Sequence, residues 1–346
     1  MTEIAMMPPR ARLTPLLITA IVGGVFVLLF LAGIGFGSTW IPLETVANVL
    51  LGGGEKTEKL VVLQLRLPRV AAAAIAGGAI AYAGYLLQRI TRNELASPGV
   101  LGVVDGAALG VILFMALFAG ASNSISVSIA WQPLAAIVGA LSAISLVFLL
   151  SGRQASSAIR LLLFGIAVAA LCKALTTIFM LVGTIYQASQ AARWLAGAVN
   201  TINITEIQLM LAVIVPTGVV AAFAARHLPP ADLDDTSSRS VGLNVPIYRL
   251  FIFFLAALLT AGAVAFAGGV SFIGLMAPHL ARLLVGRARA AGIMTSILLG
   301  AIILIGADLL IRVAFAPLEV PAGTITAVIG APYFLYLLMR KDKTNG

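Results

Sequence analysis

Charge is what this 346-residue sequence has least of: Asp, Glu, Lys and Arg together make up 10%, against 61% hydrophobic residues. A soluble domain carries roughly 25% charged residues, so a surface wetted by water on all sides is excluded. Cysteine is nearly missing too, and the single Cys172 sits inside an apolar run, which rules out an intramolecular disulfide. The two histidines, His227 and His279, are far apart, and no His, Cys and carboxylate cluster has metal-ligand spacing. No nucleophile, base and acid fall into a catalytic pattern. Gly52–Gly53–Gly54–Glu55–Lys56–Thr57 has the outline of a phosphate-binding loop, but Glu55 stands where that loop needs glycine and no strand–loop–helix context surrounds it. The expectation is a chain with no nucleotide motor, no metal and no cofactor of its own.

What is present is long apolar runs. Crossing a bilayer core takes about 20 apolar residues at 1.5 Å each, and Leu16–Phe36, Val127–Leu150, Leu161–Val182 and Ile207–Ala225 all suffice. Each must be helical, because lipid offers no partner to a bare backbone N–H or C=O. Ten helices are predicted: about 16–36, 61–90, 99–119, 127–150, 161–183, 204–225, 250–267, 272–285, 293–315 and 322–339. A short outer helix is expected over 188–199. The whole chain, 1–346, reads as one transmembrane domain, with an outer segment at 38–59 and a polar cytoplasmic loop at 226–249. In that loop, Thr236–Leu243 is expected to form two short helices broken at Gly242.

The net charge of +9 would suit nucleic acid, but its distribution points to membrane topology. Arg10, Arg12, Arg89, Arg92, Arg153, Arg160, Arg226, Arg239, Arg249, Arg282, Arg287, Arg289, Arg340, Lys341 and Lys343 fall on one side of the ten-helix arrangement. The other side holds only Lys56, Lys59, Arg66, Arg69, Arg193 and Arg312. The positive-inside rule then places both termini in the cytoplasm. The first run is too long for a signal-peptide core and is expected to stay as a helix. Gly102, Gly106 and Gly110, four apart, form a small-residue stripe suited to close helix packing.

Arg66, Arg69 and Arg312 stand on the side where positive charge is least expected. Two readings are open: they capture carboxylates of a partner by bidentate hydrogen bonds, or they contact lipid phosphates or pair with Glu44, Glu55, Glu58 or Asp308. Asp105 and Lys173 are charges at membrane depth, costly unless paired or hydrated. They either neutralise one another or, for Lys173, face a pathway for anionic cargo.

Taken in order, a set of segments resembles one family over nearly the whole chain after the first helix. They are Arg66–Leu67–Pro68–Arg69, then Thr91–Arg92–Asn93–Glu94–Leu95–Ala96–Ser97–Pro98–Gly99, then Trp194–Leu195–Ala196–Gly197. Phe272–Ile273–Gly274–Leu275–Met276–Ala277–Pro278–His279–Leu280–Ala281–Arg282 follows, with Ala307–Asp308, Leu318–Glu319–Val320–Pro321–Ala322–Gly323 and Gly330–Ala331–Pro332–Tyr333–Phe334. The sequence resembles the permease subunits of type II ABC importers for iron–siderophore complexes, haem and vitamin B12. The resemblance implies an all-α fold of about ten transmembrane helices in a bacterial plasma membrane, dimerising with a second permease subunit. It also implies a periplasmic or lipid-anchored binding protein docking on Arg66, Arg69 and Arg312, and a separate ATPase dimer that uses ATP and grips Arg239, Ser240 and Gly242. Asn93 and Leu95 would lie near a cytoplasmic gate, with Lys173 as a pathway candidate. Trp194, Gly197, Pro278, His279 and Arg282 are family signature positions. Ferric siderophore leads as cargo, with haem and vitamin B12 as alternatives. Two positions depart from the family pattern: Glu94 replaces the usual proline, and Gly286–Arg287–Ala288–Arg289 lacks the usual Asp–His pair. An ion-coupled secondary transporter would need acidic relays and, often, an inverted repeat, neither of which is evident; a membrane enzyme would need a catalytic cluster.

Overall fold

A computed structural model describes residues 14–342 except 38, 119–126, 153–157, 201, 229–234, 241, 243, 287, 317 and 319. Within helices, the side chains at 129, 158, 186, 235, 236, 239, 337, 338 and 340–342 are likewise outside the description. Arg10, Arg12, Arg153, Arg287, Glu319, Lys343, the Pro229–Pro230 pair, Asp232, Asp234 and the side chain of Arg239 therefore lie outside the described residues.

Helix after helix follows from the apolar runs. They are α1 (Pro15–Gly35), α2 (Leu43–Leu50), α3 (Lys56–Thr91), α4 (Val103–Leu117), α5 (Gln132–Ser151), α6 (Ala158–Val182) and α7 (Ile185–Ala196), then α8 (Ile204–Ala224), α9 (Asp235–Ser240), α10 (Val245–Ala267), α11 (Ile273–Val285), α12 (Arg289–Ala314) and α13 (Ala322–Asp342). Seven are long and apolar enough to cross a bilayer; α4, α11 and the apolar part of α13 are shorter. Together they account for the ten expected spans.

The differences from expectation have local causes. The third span does not begin at 99: Pro98–Leu101 forms a 3-10 turn, and Gly102, at φ +75°, turns the chain into α4. The expected loop 226–249 is shorter, because Asn244 caps α10 through the Ile247 N–H and Pro246 sits in its first turn. Within the loop the described residues include one short helix, α9, and Gly242 beyond it takes φ +84°. Positions 241 and 243, on which the expected break into two helices depends, lie outside the described residues. The outer segment 38–59 is itself largely helical, comprising α2 and the start of α3. In α3 the stretch Leu60–Arg66 is π-helical. Pro68 stands two residues beyond it, and a proline lacks the N–H for the regular ladder while its ring crowds the carbonyl four residues back.

The core is built around α3 and α10, which are 83% and 72% buried over their apolar windows, whereas α1 is 17% buried. Leu16, Ile21, Val25 and Leu28 of α1 face outward, as suits a lipid-facing helix. Close approach rests on glycine. A Cβ on Gly84 would lie 1.8 Å from the Gly274 carbonyl oxygen, and one on Gly77 would lie 2.2 Å from that of Gly300. Gly274 is also the residue whose carbonyl Pro278 cannot serve. Of the expected stripe, Gly106 and Gly110 pack on Gly139 and Ala135 of α5, while Gly102 serves the turn instead.

Candidate functional site

Polar side chains gather at two opposite ends of the bundle. At the end expected to face outward, the carbonyls of Gly33, Ile34, Gly35 and the cap Phe36 have no partner within the α1 ladder, and each finds one elsewhere. Ala32 makes the last ladder bond, accepting from the Phe36 N–H at 2.7 Å. Gly33 accepts from Arg312 Nη2 at 2.9 Å. Ile34 and Gly35 both accept from Arg66 Nη1, at 2.9 and 2.7 Å, and Gly35 also accepts from Ile41 N–H at 3.0 Å. Arg66 Nη2 donates to the carbonyl of Thr39 and, at 3.1 Å, to its Oγ1. Arg312 Nη1 reaches the Phe36 carbonyl at 3.2 Å. Two cations at a helix C-terminus also complement its dipole.

Asp308, one turn before Arg312, is 1% exposed and serves two guanidiniums. Its Oδ1 accepts from Arg69 Nε at 2.8 Å and lies 2.7 Å from Arg69 Nη2; its Oδ2 lies 3.0 Å from Arg312 Nε. Of the alternatives raised for these arginines, pairing with Asp308 is what the geometry contains for Arg69 and Arg312. Arg66 is placed otherwise than expected for a surface cation: it is 6% exposed and turned inward onto the α1 terminus. Sequence reading missed the α1 carbonyls as partners.

At the opposite end, α3 closes with Arg92 in the left-handed conformation, and the Asn93 N–H returns to the Gln88 carbonyl at 3.2 Å, the pattern of a helix C-cap. Asn93 Oδ1 accepts from the Leu95 N–H at 2.9 Å, which sets the turn holding both gate candidates. Glu94, where the family pattern has proline, pairs with Arg282 Nη1 at 3.2 Å and lies 3.7 Å from His279 Nδ1. The His279 ring meets Tyr333 edge-on at 6.0 Å. Buried Gln88 donates to the Leu275 carbonyl at 3.1 Å. The start of α11 is thus tied to α3 by Gln88, and its last turns are tied to the turn after α3 by Glu94. In the loop beyond α8, Ser238 is fully buried while Ser240 and Gly242 are exposed, and a Cβ on Gly242 would meet nothing within 4 Å.

The remaining signature residues form a backbone junction. Gly197 takes φ +74°, the Gly269 N–H donates to the Trp194 carbonyl at 2.9 Å, and the Gly323 N–H donates to the Gly197 carbonyl at 3.0 Å. A Cβ on Gly268 would lie 2.4 Å from the Trp194 carbonyl oxygen. Pro278 is buried within α11. Asp105 and Lys173 lie on the packed helices α4 and α6, and Lys173 itself is exposed. Among the described residues no group of three or more His, Cys, Asp and Glu is placed to hold a metal ion.

A model of the FecCD transport family matches residues 25–340. The chain belongs to that family. A probable siderophore transport system permease of Bacillus subtilis (strain 168) is 39% identical over 306 residues, 88% of this chain and 89% of that protein. The iron(3+)-hydroxamate import system permease FhuG of the same organism is 36% identical, covering 95% of this chain and 98% of its own length. The hemin transport system permease of Yersinia pestis is 35% identical over 81% of this chain and 83% of its own. Among solved structures, an inward-facing metal-chelate type ABC transporter superposes with a TM-score of 0.80 at 26% identity, over 93% of this chain and 99% of that one. This FecCD member is an all-helical, multi-pass membrane permease of the type II ABC importer kind.

Proposed function

We propose that this FecCD permease is the membrane subunit of an ATP-driven importer of ferric siderophores, working in a bacterial plasma membrane with both termini in the cytoplasm. The observation that carries the reading is the near end-to-end likeness to permeases named for siderophore and iron(3+)-hydroxamate import. Haem is the second reading, favoured by the 35% likeness to a hemin permease; vitamin B12 rests on family resemblance alone.

In this reading Arg69, held beside Asp308 and Arg312, is the outer docking point for an acidic binding protein. The segment from α9 to Gly242, in which Ser240 and Gly242 are exposed, is the grip for an ATPase dimer that binds and hydrolyses the ATP. The permease makes and breaks no covalent bond. ATP and cargo must bind outward and inward states with different affinity for the helices to switch. Asn93 and Leu95 belong to the turn that gates the inner end. Lys173 sits nine residues before the end of α6, about 14 Å at 1.5 Å per residue. An exposed lysine at that depth is costly against lipid, which favours a place on the cargo pathway or against a second permease subunit.

The test is uptake. The permease is reconstituted in proteoliposomes with its ATPase and binding protein and offered labelled ferric hydroxamate, ferric catecholate, hemin and cobalamin. ATP-dependent entry of a ferric siderophore is the expected result. Entry of hemin alone would shift the assignment to haem, and no ATP-dependent entry of any would sink the importer reading.

A further inference from the structure

We propose that Arg66 is a positioning residue rather than a docking cation: with Arg312 it caps the C-terminus of α1 from outside that helix, and so steadies the surface on which Arg69 meets the acidic partner. The last clause rests on the docking reading above; the cap does not.

The accounting of donors carries the inference. Arg66 has two terminal nitrogens, and their four N–H groups have four acceptors: the carbonyls of Ile34, Gly35 and Thr39, and the Thr39 hydroxyl. Nε alone has no partner among the described residues, and with both terminal nitrogens filled and the residue 6% exposed no two-pronged site is left for an incoming carboxylate. The backbone is wrapped against it, since a Cβ on Gly37 would lie 3.1 Å from Nη2. Arg312 spends Nη1 and Nη2 on α1, and its Nε lies 3.0 Å from Asp308 Oδ2 as an ion pair. Arg69 differs. It touches Asp308 through Nε and Nη2 only, its side chain is the most exposed of the three at 19%, and its Nη1 has no partner among the described residues. A planar fork reaching separate carbonyls is something a guanidinium does and an ammonium does not. Capping and charge can therefore be separated by lysine.

The experiment uses the whole complex of permease, ATPase and binding protein in nanodiscs. Two quantities are measured: the binding-protein concentration giving half-maximal ATPase stimulation, and the maleimide labelling rate of Ile34→Cys in a Cys172→Ser background. Ile34 is 1% exposed at the end of α1, so its labelling reports release of that end. Arg69→Gln is expected to raise the half-saturating concentration at least tenfold without changing the labelling rate, with Arg69→Lys recovering most of the loss. Arg66→Lys and Arg66→Gln are expected to speed labelling alike, at least threefold. If Arg66→Lys matches the wild type while Arg66→Gln shifts half-saturation as Arg69→Gln does, Arg66 is a docking cation and the proposal is overturned. Wild-type labelling in both Arg66 variants overturns it equally. If Arg69→Gln leaves half-saturation unchanged while the Arg66 variants still speed labelling, the docking reading fails and the cap stands.

Discussion

Asp308 carries the counter-charge for two arginines from a position that is 1% exposed, so its loss has to be felt twice. Removing one partner of a buried ion pair costs about 3–5 kcal/mol, because the other charge stays buried alone. Asp308→Asn is expected to lower the melting temperature of the purified permease markedly, as followed by intrinsic fluorescence in detergent. Glu94→Gln is the contrast. Its pair with Arg282 is 35% and 42% exposed, and exposed pairs contribute about 0–1 kcal/mol. The same melt is expected to shift little; an equal shift for both variants would contradict the burial ranking. At this scale the arginines and Asp308 were visible as candidates, because charge stands out in an apolar chain. That Arg312 would cap α1 was not visible, because the bonds join residues 276 and 279 positions apart.

Between elements, backbone approach replaces side-chain interlock. Gly84 lies against the Gly274 carbonyl so closely that a methyl group would sit 1.8 Å from its oxygen. Gly84→Ala must push α3 and α11 apart, and overpacking of this kind typically costs about 1–3 kcal/mol. Gly218 in α8 has nothing within 4 Å of its would-be Cβ, so Gly218→Ala is expected to be neutral or to gain up to about 1 kcal/mol of helix propensity. Comparing the two melts checks whether the α3–α11 contact is as tight as described. Helix number and kind were legible because lipid permits only closed backbone ladders. Helix starts were less so: α10 begins at Val245 and α12 at Arg289, both a turn or more before the apolar run. For α10 the Asn244 cap rather than the hydropathy sets the boundary.

For the whole molecule the question is how one end informs the other. Gly242 is exposed in the left-handed region at φ +84°, a conformation that side chains other than glycine disfavour by roughly 1–2 kcal/mol. Gly242→Val is expected to distort the segment after α9. It should raise the ATP hydrolysed per cargo molecule severalfold while leaving the half-saturating concentration of binding protein unchanged. Simultaneous measurement of phosphate release and labelled uptake in proteoliposomes checks this, and unchanged stoichiometry would remove Gly242 from the coupling role.

By itself the sequence determined that this chain is a multi-helix membrane body, and its charge placement set the expectation that positive charge lies mostly on one side. Composition, run length and charge placement are local quantities, and lipid leaves few ways to satisfy them. Only the tertiary structure decided which cations are spent and which are offered. Arg66 and Arg69 lie three residues apart, yet one is enclosed by the end of α1 and the other keeps a partly exposed guanidinium beside Asp308. Hydrogen-bond capacity is consumed by whatever backbone happens to be near, and nearness across hundreds of residues exists only once the helices have packed.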